Sequence, residues 1–371
     1  MSYKTGRMGM AEGIALVFVL TIPRLFLTAP AEVVDAAGPI GWLIPLFSSI
    51  TPLIAFWLLV YVLMQTAGDD LFTAAQHFLG PIVGFGIGLF YAVMFLLNAA
   101  ILLRQFAENT LLTALPLLEF SVAVGLYVLV AAIVIYAGIE GLSRAAYIIL
   151  PFGTVAIIIS LLLLFPFYNF YHLFPWQGKG LGTLFKSSIL LSGANIGVIA
   201  LAILAPSFHN LRTIKIAGLF GLGGVALLRT ASTLVFVMIF GCGAGREKTL
   251  AFFEMVRLVN LSRYLQRVEA LFILLWVIVG VLAIAANLYA GMYLITRLFK
   301  LPALRPIIPI VCLLIAQAAM IPDDITDVIQ LARQFNIIYM NVGLYVIPFL
   351  LFITAFIRRR KRRAGACTAE S

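Results

Sequence analysis

Apolar blocks of about 20 residues or more recur along this chain, and they leave it few folds other than a membrane-embedded one. A helix rising about 1.5 Å per residue needs about 20 residues to cross a hydrocarbon core of roughly 30 Å. The blocks fall near 10–29, 40–64, 82–106, 120–139, 147–166, 184–205, 216–241, 268–296, 304–321 and 337–357. Strand barrels show alternating segments of about ten residues instead, and those are absent here. Only 11% of the 371 residues are charged, against roughly 25% in a soluble domain, so there is too little polar surface to solvate one. The expected fold is an all-α membrane protein of about ten transmembrane helices.

Charge placement supplies the orientation. The net charge of +10 is concentrated in Arg358-Arg359-Arg360-Lys361-Arg362-Arg363, directly after the last block. That is the position of a cytoplasmic anchor beside anionic lipid headgroups, so membrane lipids rather than nucleic acid are the expected partner. With the N-terminus inside, cytoplasmic segments hold Lys4, Arg7, Arg144, Arg212, Lys215, Arg297, Lys300 and Arg305, while outer loops hold Glu32, Asp35 and Glu108. An even span number then puts both termini in the cytoplasm. One outer segment, 245–267, carries Arg246, Lys248, Arg257 and Arg263 against the rule, which longer loops obey poorly. Its apolar spacing fits either an amphipathic helix over the outer mouth or a solvated loop. The first block lacks a small-residue cleavage site and reads as the first span of the mature protein.

Chemistry-bearing residues are sparse. Cys242, Cys312, Cys367 and the three histidines have no metal-ligand spacing, so no metal or cofactor is implied. No clustered His, Cys or acid pair lies within the spans, which argues against an enzyme. Asp323-Asp324 reads as a loop or helix cap.

Ten spans divide into five and five, and an odd number per half places the second half upside down relative to the first. The chain 1–371 is thus expected as one integral membrane domain: 1–9 cytoplasmic, 10–166 the first repeat, 184–357 the second, 358–371 a basic tail. The first span of each half is interrupted, by Thr21-Ile22-Pro23-Arg24 and by Ser192-Gly193-Ala194-Asn195-Ile196-Gly197. Pro23 removes a backbone donor, and glycine, serine and asparagine weaken helix continuity. Freed backbone groups cost several kcal/mol each in hydrocarbon unless a ligand, water or side chain satisfies them. Paired half-helix ends suit a zwitterion, so an amino-acid-like ligand is expected there. Asn98 and Asn287 belong either to that cavity or to an interhelical hydrogen bond. Arg24, just past Pro23, can snorkel to the outer interface or clamp a ligand. Glu269 is expected to pair with Arg267 or another base near the outer mouth.

Four segments in order resemble the spore germination permease family, the B subunits of nutrient germinant receptors within the amino acid–polyamine–organocation superfamily. They are Leu20-Thr21-Ile22-Pro23-Arg24; Arg104 with Glu108; Gln266-Arg267-Val268-Glu269-Ala270-Leu271 running to Trp276; and Ile321-Pro322-Asp323-Asp324. The resemblance implies two inverted five-helix repeats, broken helices one and six, and a cavity between spans one, three, six and eight. It implies a small nutrient, commonly an amino acid, A- and C-type receptor subunits as partners, and the inner membrane of a spore-forming bacterium. Leu16, Val17, Thr21, Pro23, Asn98, Ser192, Gly193, Asn195, Gly197, Ala283 and Asn287 would line the site. Arg24, Arg104, Glu108, Arg267, Glu269, Pro322, Asp323 and Asp324 would shape or gate it. Two departures stand out. Bulky Leu16-Val17-Phe18 replace small residues, and Val198-Ile199-Ala200 follow Gly197 where the family often has an acid. Both point to a small or apolar ligand, or to loss of independent binding. An amino acid secondary transporter is the alternative function, and a structural subunit with a vestigial cavity a further one.

Overall fold

Every apolar block is helical in the computed structural model, which describes residues 6–66, 68–259 and 268–369. The first block gives α1 (Met10–Thr21) and α2 (Pro23–Phe26), followed by α3 (Ala29–Ala37) and α4 (Ile44–Gln65). A short helix α5 (Leu71–Leu79) precedes α6 (Pro81–Thr113), α7 (Phe120–Tyr136) and α8 (Gly138–Leu163). The second half runs α9 (Leu181–Leu190), α10 (Gly197–Ile203), α11 (Leu211–Gly245), α12 (Ala251–Arg257) and α13 (Val268–Leu298). It closes with α14 (Ile308–Ala319), α15 (Ile325–Phe335) and α16 (Ile347–Ala369).

By length and composition six helices among the described residues can cross a bilayer, and the bent pair α9–α10 makes a seventh. Phe120–Tyr136 and Arg305–Ala319 are apolar but shorter, and α1 has 12 residues. The expected ten is therefore reached only by counting these as crossings. Conversely, α6 with 33 residues and α11 with 35 are about 50 Å long, more than roughly 30 Å of hydrocarbon requires.

Local sequence sets the helix ends. Gly80 at φ +91° turns the chain and Pro81 opens α6, where the missing N–H costs nothing. Asp70, Asn210 and Asp324 cap α5, α11 and α15 by accepting the backbone N–H three residues on, at 2.7, 2.8 and 2.9 Å. Gly280 and Gly291 let α13 lie directly against Phe106 and Leu96 of α6, forming the central helix pair.

Three features depart from expectation or extend it. The backbone barely breaks at Pro23: Ile22 stays helical and still donates to Phe18. The chain leaves helical geometry at Leu27 instead (φ −99°, ψ −150°), because Pro23 fits the first turn of a new helix without strain. Segment 245–267 does contain an amphipathic helix, α12, which buries Ala251, Phe252, Met255 and Val256. The basic tail begins inside α16, where Arg358 Nη1 donates to the His77 carbonyl at 2.6 Å and Arg359 Nη1 to Tyr61 at 3.1 Å.

Candidate functional site

The break between α9 and α10 turns the chain by 44°. A 3₁₀ turn over Leu191–Asn195 joins the halves and leaves the last carbonyls of α9 without helical donors. The side chains nearby supply them. Ser192 Oγ donates to the Ile189 carbonyl at 2.6 Å, and Asn341 Nδ2 to the Leu190 carbonyl at 2.8 Å. Asn341 lies between two π-helical turns, Asn336–Met340 and Val342–Val346, that link α15 to α16. Such turns are frequent at functional sites. Tyr345 hydroxyl donates to Ser192 Oγ at 2.5 Å and lies 2.7 Å from Thr51 Oγ1 of α4.

Asn195 closes a second set of bonds. Pro52 inside α4 has no N–H, which leaves the Ser48 carbonyl, four residues earlier, without its helical donor. Asn195 Nδ2 donates to that carbonyl at 2.7 Å, and its Oδ1 accepts from Arg229 Nη1 at 3.1 Å. Asn195 is fully buried and Arg229 is 5% exposed. The polar groups of Ser192 and Asn195 are thus committed to protein partners on α4, α11 and the last span.

On the other side of the break, α1 and α10 touch. A Cβ on Gly197 would sit 2.8 Å from Thr21 Oγ1 and 2.9 Å from Leu20 Cβ, so glycine is what permits the approach. Gly193 likewise lies against the Asn336 carbonyl. Asn98 of α6 donates through Nδ2 to Asn287 Oδ1 of α13 at 2.8 Å, while Asn287 Nδ2 returns to the Ala283 carbonyl of its own helix. Of the two roles open to this pair, the interhelical bond is present. Leu16 is buried in α1, Val17 packs on Gly221 of α11, and Phe18 on Gly153 of α8. Among the described residues, four buried polar atoms on α1, α6 and α13 have no partner: Thr21 Oγ1, Asn98 Oδ1, Asn109 Oδ1 and Trp276 Nε1. Unspent hydrogen-bonding capacity of this kind needs a ligand or water.

Clusters of side-chain contacts stand at both ends of the bundle. At the end away from the chain termini, Phe26, Phe252, Phe272, Trp276 and Phe106 form a continuous aromatic cluster with centroid separations of 4.9–6.4 Å. The sequence reading missed this plug; the Phe252-Phe253 pair and Trp276 were its only signal. Beside it, Arg104 pairs with Glu108 at 3.0 Å, lies 4.2 Å over the Phe120 ring, and donates to the Asp323 carbonyl at 3.4 Å. Two motif segments far apart in sequence therefore meet, with half-buried Pro322 leading into the Asp324 cap. Arg267 and the side chain of Glu269 lie outside the described residues, so their expected pairing does too. At the opposite end, buried Asp70 accepts from Arg297 Nε at 2.8 Å and Tyr293 at 3.2 Å, tying α5 to α13. Met8 N–H donates to the Ser207 carbonyl at 2.7 Å and Arg7 N–H to Glu140 at 2.8 Å, sealing the N-terminal segment under α10.

The whole architecture has counterparts. Mhp1, a nucleobase-cation-symport-1 family transporter, in a closed conformation with bromovinylhydantoin bound, superposes with a TM-score of 0.70 at 13% identity, covering 97% of this chain and 80% of that one. MhsT in complex with L-phenylalanine gives 0.65 at 10% identity, covering 95% and 100%. These likenesses establish a LeuT-type transporter fold. Spore germination protein A2 of Bacillus subtilis (strain 168) is 22% identical over 361 residues, 94% of this chain and 95% of that protein. Family and fold are of permease type rather than those of an enzyme. The family model described as spore germination protein, Spore_permease, matches residues 8–328, and the chain belongs to that family.

Proposed function

We propose that this protein is the nutrient-sensing membrane subunit of a spore germinant receptor, binding a small amino-acid-like germinant between spans one, three, six and eight. The observation that carries the reading is the family match along nearly the whole chain, placed on a transporter fold whose helix break carries the expected polar residues. The orphaned Thr21 Oγ1 and Asn98 Oδ1 would receive polar groups of the ligand. Leu16, Val17, Thr21, Pro23, Asn98, Ser192, Gly193, Asn195, Gly197, Ala283 and Asn287 are all buried, so the ligand enters only when the spans move apart. Binding would then bias a two-state cavity by its differential affinity for the open and closed forms, and A- and C-type subunits would read that shift. Both termini would face the cytoplasm of a bacterial inner membrane, with the basic tail on its anionic leaflet.

Val198, Ile199 and Ala200 surround the break with fully buried apolar side chains, and no carboxylate stands there to balance an extra charge. The ligand is accordingly small or apolar. Radioligand binding to the full chain in nanodiscs tests this: alanine- or valine-sized amino acids compete, and arginine does not. Saturable arginine binding would overturn the ligand assignment. The alternative, an amino acid secondary transporter, uses the same fold, and concentrative uptake into proteoliposomes would favour it.

A further inference from the structure

A small cavity of about 20 Å³ lies between α2, α3, α4, α11, α15 and the turn Leu191–Asn195, on the side of the break away from the chain termini. Its charged walls are Arg24, Arg229, Arg333 and Glu32. Three guanidinium groups against one carboxylate leave an excess of two positive charges around a space of water or halide size. On this shared wall the like charges of Arg24 and Arg229 oppose one another, and the single carboxylate of Glu32 offsets them only in part. Glu32 also accepts from Thr28 Oγ1 at 2.7 Å. Among the described residues, no carboxylate oxygen comes within 4.0 Å of any of the three guanidiniums.

Arg229 makes the imbalance acute. It is 5% exposed, and its side chain's one hydrogen bond among the described residues goes to neutral Asn195. A buried cation is tolerated when it is paired and hydrogen-bonded, and here the pairing is incomplete. Guanidinium side chains from three different helices line the one cavity, and such planar, multidentate donors suit an anion.

We propose that this cavity is a binding site for a small monovalent anion, a halide or a compact carboxylate, held between Arg24, Arg229 and Arg333. The anion ties the first, seventh and last spans together at one mouth, where their like charges would otherwise drive them apart. The cavity adjoins the central break, whose Leu191 and Ala194 line it and whose Asn195 holds Arg229, but the groups that would hold the anion are the three arginines. It stands whether or not the central site binds a nutrient.

The test uses the full chain in lipid nanodiscs. Its unfolding midpoint is followed as sodium gluconate is replaced by sodium chloride or sodium formate at constant ionic strength. A ligand that binds only the folded state raises the midpoint saturably. The expected result is such a rise with chloride, with formate, or with both; whichever acts identifies the anion. Arg333→Gln, at an exposed position that tolerates change, abolishes the rise, and Arg359→Gln at the far end preserves it. Glu32→Gln removes the competing carboxylate and moves the rise to severalfold lower concentration. Equal midpoints in all three salts, an undiminished rise in Arg333→Gln, or a shift to higher concentration in Glu32→Gln would each overturn the site.

Discussion

Asn195 donates to the Ser48 carbonyl at 2.7 Å, so a residue at the break of one span supplies the hydrogen bond that Pro52 denies another. Two helix irregularities, each costly alone in hydrocarbon, satisfy one another. Asn195→Ala leaves this carbonyl and Arg229 unpartnered and should destabilise the protein by about 2–4 kcal/mol, as measured by unfolding in detergent. Adding Pro52→Ala returns a helical donor to Ser48 and should recover part of the loss. Strict additivity of the two changes would mean that the carbonyl is not what Asn195 serves.

The asparagine bridge between α6 and α13 should couple energetically. A double-mutant cycle over Asn98→Ala and Asn287→Ala is expected to give about 0.6 kcal/mol, the mean for polar pairs between membrane helices, and no more than about 1.7 kcal/mol. A coupling indistinguishable from zero would place the two side chains apart in the membrane-embedded protein.

Gly197 is the contact point of α1 with α10. In Gly197→Leu the new side chain meets Thr21 Oγ1 and Leu20 at once, and overpacking of this kind costs about 1–3 kcal/mol. The variant should insert normally yet lose its response to ligand. Undiminished ligand sensitivity at normal expression would remove Gly197 from the site.

Arg297 latches α5 through Asp70. Because the Arg297 side chain is 45% exposed, its loss should cost only about 1 kcal/mol of global stability. Locally the effect is larger, since the Asp70 carboxylate is fully buried. Hydrogen exchange across Leu71–Leu79 should speed up in Arg297→Gln while α6 keeps its protection. Unchanged exchange in α5 would show that Asp70 is held by its other partners alone.

The spans were legible because hydrocarbon thickness imposes a length on apolar runs, and the break at Ser192–Gly197 because small and polar residues cluster there. Pro23 misled for a physical reason: a proline that opens a helix turn need not bend the chain, and the departure came at Leu27. The partners of Asn195 were hidden because they sit on α4 and α11, far away in sequence, although Pro52 was a readable sign of a carbonyl in need of a donor. The arginine-lined cavity was hidden for the same reason. Arg24 could be read as a snorkelling residue or a ligand clamp, and only the fold brings Arg229 and Arg333 beside it. Short α3 and α5 escaped notice because neither is long enough to register as a span.

The central claim is that this permease-type protein senses rather than feeds. A strain lacking the gene is compared with its parent across a nutrient panel, with spore germination and vegetative uptake scored side by side. Germination to one small amino-acid-like nutrient is expected to be lost while its uptake is unchanged. Lost uptake with normal germination would contradict it and make the protein a transporter.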